Sequence, residues 1–204
     1  MNANIIMYII AYLLGSIPFG LLIAKYFGNV DLLHSGSGSI GATNVLRVLK
    51  EKDPKKAKIF GLITILCDAL KGLLPIIIAS FMGFDINVLW TMAVLAIIGH
   101  CFSIFLKFEG GKGVATSFGV FLFFLPIEAL IGIVVWLLVG KFLKISSIAS
   151  LSGIFSFVLL SFILHFDMVG INTHAPIFFI AFIIVYKHIP NIVRLIQRKE
   201  DKVA

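Results

Sequence analysis

A chain of 204 residues that is 60% hydrophobic and only 13% charged, with a mean hydropathy of +1.09, lies far from the roughly 25% charge content of soluble globular domains. Apolar runs near twenty residues recur along it, each able to cross a hydrocarbon core about 30 Å thick. That indicates an all-α, polytopic integral membrane protein without room for a soluble second domain, and the net charge of +7 follows the loops rather than marking a nucleic-acid surface.

The first apolar run, residues 5–26, lacks a basic leader and a small-residue cleavage site, so it reads as a retained span rather than a signal peptide. Gly15, Pro18 and Gly20 predict a kink or close helix packing within it. A polar loop over 27–58 carries Ser35-Gly36-Ser37-Gly38 and Gly41-Ala42-Thr43-Asn44-Val45-Leu46-Arg47. Spans are predicted next at 59–82 and 88–106, joined by a short turn. The first of these holds Asp68 and Lys71, three apart on one helical face. Charges in lipid are expensive and usually paired, so they read as an ion pair or as a catalytic couple. Cys67 and Cys101 have no C-x-x-C or His/Cys partner and read as small core residues.

Then comes Phe108-Glu109-Gly110-Gly111-Lys112-Gly113-Val114-Ala115-Thr116 in the loop 107–112 and the helix start beyond it. Bare N–H groups beside an ammonium, with a helix opening behind them, make an anion cradle. A tight interhelical turn with a snorkelling lysine fits the same residues.

Residues 113–140 form either one helix or two broken at Pro126, and charge parity decides. Seven Lys/Arg lie between Lys25 and Lys58, two at Lys107 and Lys112, two at Lys141 and Lys144, and five from Lys187 to Lys202, while the intervening segments carry only Lys71. All four basic segments share one side only if the helix breaks, giving spans at 113–124, 126–140, 145–165 and 174–187. The prediction is about seven transmembrane helices, N-terminus outside, with loops 27–58, 107–112 and 141–144 and tail 188–204 cytoplasmic. The fourth and fifth helices, at roughly 20 Å, are too short to cross alone. Residues 186–200 predict a separate short amphipathic helix at the interface.

This topology gathers three polar segments on one face. They supply hydroxyls (Ser35, Ser37, Thr43), backbone N–H groups (Gly36, Gly38, Gly110, Gly111, Gly113), amides (Asn44, Asn191), His188, and the cations Arg47, Lys112 and Arg194. Donors and cations with few carboxylates are the chemistry of phosphate recognition. No cluster has metal-ligand spacing, so no metal is expected. Leu106 stands where a P-loop needs its first glycine, no histidine precedes an aspartate by five residues, and no G-x-S-x-G elbow occurs. His100 reads as a supporting or structural histidine, His34 as a loop residue, and His165 and His174 fall on the outer side.

The blocks Ser35–Gly38 with Gly41–Arg47, Gly99-His100 with Phe108–Thr116, and His188 with Asn191-Ile192 and Arg194-Leu195 resemble the signature blocks of the bacterial acyl-phosphate-dependent glycerol-3-phosphate acyltransferases. The resemblance spans essentially the whole chain, including Gly15-Ser16 and the Asp68 to Gly72 element. It implies an enzyme of the bacterial cell membrane, with its site facing the cytoplasm, that moves an acyl group from acyl phosphate to the 1-hydroxyl of sn-glycerol 3-phosphate. The product is lysophosphatidic acid, a soluble phosphate acyltransferase supplies the donor, and no cofactor is needed. On this reading Arg47 and Lys112 bind phosphate, Ser35, Ser37 and the glycine backbone donate hydrogen bonds, and His188 and Asn191 orient the acceptor. The chain departs from the family pattern at Glu109, Ser39, Ser103 and Arg198, where lysine, asparagine, proline and glycine are usual; Glu109 inverts a charge beside the cradle. The alternatives are a small transporter of an anionic or phosphorylated solute and a diverged, non-catalytic paralogue.

Overall fold

The computed structural model describes residues 2–168 and 170–202 and is all-helical across them. The helices are α1 (Ala3–Ser16), α2 (Phe19–Gly28), α3 (Ala42–Lys50), α4 (Pro54–Phe81), α5 (Ile86–Cys101), α6 (Val114–Phe124), α7 (Pro126–Leu143), α8 (Ser146–Leu164) and α9 (Ala175–Ile196). Six stretches among the described residues are long and apolar enough to cross a membrane, with α1 and α2 counted as one, and α6 is a shorter apolar helix. The outward surface is built of large apolar side chains such as Leu62, Phe81, Leu130, Phe155 and Phe182, which suits lipid as the solvent.

Proline sets two of the breaks. Pro18 has no N–H to donate and interrupts the first span between Ser16 and Phe19. The interruption is stitched from other helices: Lys71 Nζ donates to the Ile17 carbonyl at 2.7 Å, and Ser103 Oγ to the Ser16 carbonyl at 2.6 Å. Pro126 starts α7 after Leu125 leaves helical geometry, which is the break that charge parity demands.

Three expectations need correction. The fifth span runs 18 residues to Leu143 rather than ending at 140, so its length of about 27 Å nearly matches a hydrocarbon core and only α6 is short. The loop 27–58 contains α3, whose apolar face (Val45, Leu49) packs with Ala24, Leu32 and Ala57 in a small core of its own, and α4 begins five residues before the predicted span. The last span and the interfacial helix are one element, since α9 continues through Pro190 to Ile196. Pro190 costs one backbone hydrogen bond, but buried His188 and Asn191 on the inner face carry the helix past it.

Small residues let the helices touch at their backbones. Gly15 lies on the Ala96 backbone where α1 crosses α5, Gly119 on Ala69 where α6 crosses α4, and Gly132 on Gly153 where α7 crosses α8. The main core, with Met92, Ile97, Phe121, Phe157 and Ile180, fills the space among α5, α6, α8 and α9. Cys101 is buried and reduced, as a core residue should be. Away from the basic loops, His165 Nδ1 approaches buried Glu128 Oε1 at 2.6 Å and His174 stacks on Phe162.

Candidate active site

The polar blocks meet in one cavity of about 530 Å³. Its polar lining includes Gly36, Ser37, Thr43, Asn44, Arg47, Lys112, Gly113, His188, Asn191 and Arg194, and its apolar lining Leu66, Phe118, Leu122, Ile133 and Trp136. An amphiphile with a charged head and an apolar tail is the ligand such a lining matches.

Asn44 organises the first wall. It is buried at the start of α3, its Oδ1 accepts from the Ser37 N–H at 2.9 Å, and its Nδ2 donates to the carbonyls of Leu32, Ser35 and Ser39. These bonds use both amide hydrogens and one site on the oxygen, and they bend the chain into a loop with Gly36 and Gly38 at φ of 62° and 69°. Asn44 therefore positions the donors around it rather than holding a ligand itself. Arg47 stands one turn further along α3 and also lines the cavity. Ser35 and Gly38 do not line it, although both belong to the same loop.

Behind the second wall stands His100. The Gly111 N–H donates to the His100 carbonyl at 2.9 Å, and a Cβ on Gly111 would strike the His100 ring. Gly110 likewise lies against the His100 and Cys101 backbones. These two glycines make room for the chain at the end of α5, and neither lines the cavity. Gly113 does, in the left-handed region, and Lys112 beside it reaches the same space. Asp68 and His100 line the floor, with Lys71 Nζ on Asp68 Oδ1 at 2.7 Å and His100 Nδ1 3.7 Å from the same oxygen. Lys71 is thus committed to Asp68 and the Ile17 carbonyl and does not line the cavity. The couple ties α4 to the break between α1 and α2 and stands beside His100.

The third wall is α9 and the tail after it. His188 Nδ1 lies 2.7 Å from the Ile184 carbonyl, and a carbonyl only accepts, so Nδ1 carries the proton and Nε2 is the nitrogen free to accept one. After Ile196 the chain reverses through Arg198 at φ of 57°, the position where the family usually has glycine. The reversal returns Glu200 to the cavity, where it accepts from Asn191 Nδ2 at 2.6 Å, Arg194 Nε at 2.7 Å and Ser147 Oγ at 2.9 Å. Burial pushes the Glu200 carboxyl up, but the bonds from Asn191, Arg194 and Ser147 outweigh it and hold the group below the usual carboxylate range.

Sequence reasoning passed over Glu200 and the start of α8. Ser146, Ser147 and Ser150 line the cavity, and Ser146 Oγ is 2.9 Å from Thr43 Oγ1. Their signal is three serines within five residues opening an otherwise apolar span. It places a third helix start at the site: the N-cap positions of α3, α6 and α8 are Gly41, Gly113 and Ile145, none with a side-chain cap, and the first residues of these helices line the cavity. Uncapped N–H groups and the positive helix ends add to Arg47 and Lys112. Among the described residues neither cation is in an ion pair. Burial lowers the Lys112 pKa to about 8, with Arg194, Arg47 and Lys187 adding to the effect and Glu200 opposing it.

The departures from the family pattern settle into place. Glu109 is exposed and outside the cavity lining, so its charge does not face the site. Buried Ser103 bonds the Ser16 carbonyl, receives the Phe105 N–H, and its own carbonyl accepts from Leu106 and Phe108. Ser39 Oγ receives the Gly41 N–H at 3.4 Å.

Fold and site define a membrane-embedded protein with a cavity lined both by cations and hydroxyls and by apolar side chains. The chain matches the glycerol-3-phosphate acyltransferase family over residues 5–198 and belongs to it. It is 62% identical over 201 residues to the glycerol-3-phosphate acyltransferase of Campylobacter concisus, covering 98% of this chain and 99% of that one. It is 57% identical to the Wolinella succinogenes protein of the same name, covering 100% and 98%. Crystal structures of PlsY, an integral membrane glycerol 3-phosphate acyltransferase, superpose with TM-scores of 0.86 for the glycerol 3-phosphate form and 0.84 for the lysophosphatidic acid form, each at 35% identity. The first covers 100% of this chain and 96% of that chain, the second 98% and 95%.

Proposed function

We propose that this protein transfers a fatty acyl group from acyl phosphate to the 1-hydroxyl of sn-glycerol 3-phosphate, releasing inorganic phosphate and lysophosphatidic acid. The observation that carries the reading is the cavity itself, which Arg47, Lys112 and uncapped helix starts line together with Leu66, Phe118, Leu122 and Ile133. The relatives' shared name and the two PlsY forms support the acceptor and the product.

The chemistry follows from the donor. Acyl phosphate is a mixed anhydride whose leaving group is already good, so no nucleophilic side chain is needed. The acceptor oxygen attacks the acyl carbon, a tetrahedral oxyanion forms, and the carbon–phosphate oxygen bond breaks. Lys112, Arg47 and the N–H groups at the helix starts face the charge that develops on the oxyanion and the departing phosphate. His188 Nε2 or the substrate phosphate receives the hydroxyl proton. Ser37, Ser146 and Asn191 orient the two substrates, which supplies the second large part of the rate.

The site faces the cytoplasm of a bacterial cell membrane on this account, with seven spans and an outside N-terminus, and a soluble acyltransferase supplies the donor. The Pro126 break supports the topology, and a reporter fused at Pro126 reading cytoplasmic overturns it. Purified protein incubated with palmitoyl phosphate and labelled glycerol 3-phosphate yields labelled lysophosphatidic acid if the function is right. Absence of product beside an active relative contradicts it.

A further inference from the structure

A second cavity of about 440 Å³ lies between α3–α4 and α7–α8 and opens among lipid-facing side chains. Its walls are Leu46, Leu62, Ile65, Leu137 and Ala149, with glycines at 61 and 140 that keep the helix surfaces low. Leu62 and Leu137 are more than half exposed, so the groove borders the acyl chains of the bilayer. Three lysines line one end: Lys58 near the start of α4, and Lys141 and Lys144 at the finish of α7. All three are exposed, none is in an ion pair among the described residues, and no acidic residue lines the groove. The groove shares Ala42, Thr43, Ile65, Trp136 and Ser146 with the substrate cavity. Trp136 is the largest side chain in that common wall.

We propose that this groove is a lateral receiving site for the acyl phosphate donor, with Lys58, Lys141 and Lys144 holding its phosphate and Trp136 standing between this station and the reaction cavity. The inference rests on the acyltransferase reading. The chemistry of the lining selects the occupant. Single-chain amphiphiles with a dianionic head fit an apolar groove ended by three unpaired ammonium groups, whereas a zwitterionic phospholipid gains nothing from them. A bilayer-dissolved donor also reaches this mouth by lateral diffusion, without its tail crossing water.

The test uses the full chain in vesicles of zwitterionic lipid, assayed with palmitoyl phosphate and glycerol 3-phosphate. The triple variant K58Q/K141Q/K144Q is expected to raise KM for palmitoyl phosphate about tenfold, with kcat and KM for glycerol 3-phosphate within twofold of wild type. Leu137→Trp, which fills the groove away from the substrate cavity, is expected to raise the same KM and to leave the acceptor KM alone. A second readout needs no turnover. Trp136 is the only tryptophan left in a Trp90→Phe background, and palmitoyl phosphate brominated on its chain quenches it less in the triple variant than in the parent. Unchanged donor KM in both variants, with unchanged quenching in the triple variant, overturns the proposal. A lowered kcat at unchanged donor KM also overturns it, because the groove then serves product release. Inactive wild-type protein refutes the acyltransferase reading instead, so the two failures are distinguishable.

Discussion

The loop from Ser35 to Asn44 and the loop from Phe108 to Gly113 look alike in sequence, both short, polar and rich in glycine, yet their glycines serve different ends. In the first, Gly36 and Gly38 take positive φ so that Asn44 can gather the backbone around its amide. In the second, Gly110 and Gly111 are there for lack of bulk, since the His100 ring and carbonyl occupy the space a Cβ would need. Of the glycines in that loop, Gly113 alone has the left-handed geometry, which Phe108 at the loop's start also adopts at φ of 65°. One wall of the site is thus shaped from inside the loop and the other from the helix behind it. The lesson is that a glycine-rich turn near a cation does not by itself reveal which N–H groups are free.

The largest effect expected from the second loop is chemical. Lys112→Ala should lose about 10²–10³ in kcat/KM while the protein stays folded, measured by initial rates in detergent. Because burial puts the Lys112 pKa at about 8, its ammonium is present below that pH and lost above it. Activity should therefore fall as pH rises through about 8, and in Lys112→Arg any residual rate should persist there. A wild-type profile flat to pH 9.5 would separate the cation from the chemistry.

Stability variants break the comparison next. Gly111→Ala forces the His100 ring aside and should cost about 2 kcal/mol, read as a lower melting temperature in detergent. Asn44→Ala removes four hydrogen bonds and takes the side-chain partner from the buried Leu32 carbonyl, the Ser39 carbonyl and the Ser37 N–H, at a cost of about 2 kcal/mol. The second loss should be accompanied by proteolytic cleavage near Gly38, while the first should leave that loop intact. Equal cleavage in both would mean that the loops form one structural unit. The smallest effect is at Glu109, which is exposed and off the cavity: Glu109→Lys should change kcat/KM less than twofold. A tenfold gain would put that charge back at the site.

Much of this fold is legible in the sequence, for definite reasons. Charge parity and Pro126 locate the break between α6 and α7, and Pro18 the break in the first span. Arg47, Lys112 and Arg194, which charge parity puts on one membrane face, line the same cavity. Two features depend on contacts that spacing does not encode. Glu200 enters the site only because Arg198 reverses the chain, and Ser147 meets it from a helix 53 residues away in sequence. The role of Asn44 is likewise visible only in its partners, since an asparagine that holds a loop and one that holds a ligand look the same in a list of residues.

The claim that both loops wall one phosphate site is tested most directly by equilibrium binding of labelled glycerol 3-phosphate to wild type, Arg47→Ala and Lys112→Ala. The structure predicts at least tenfold weaker binding in each variant, since each removes one of two cations left without a carboxylate partner at the same cavity. Wild-type affinity in either variant would contradict it and return that loop to the status of a turn.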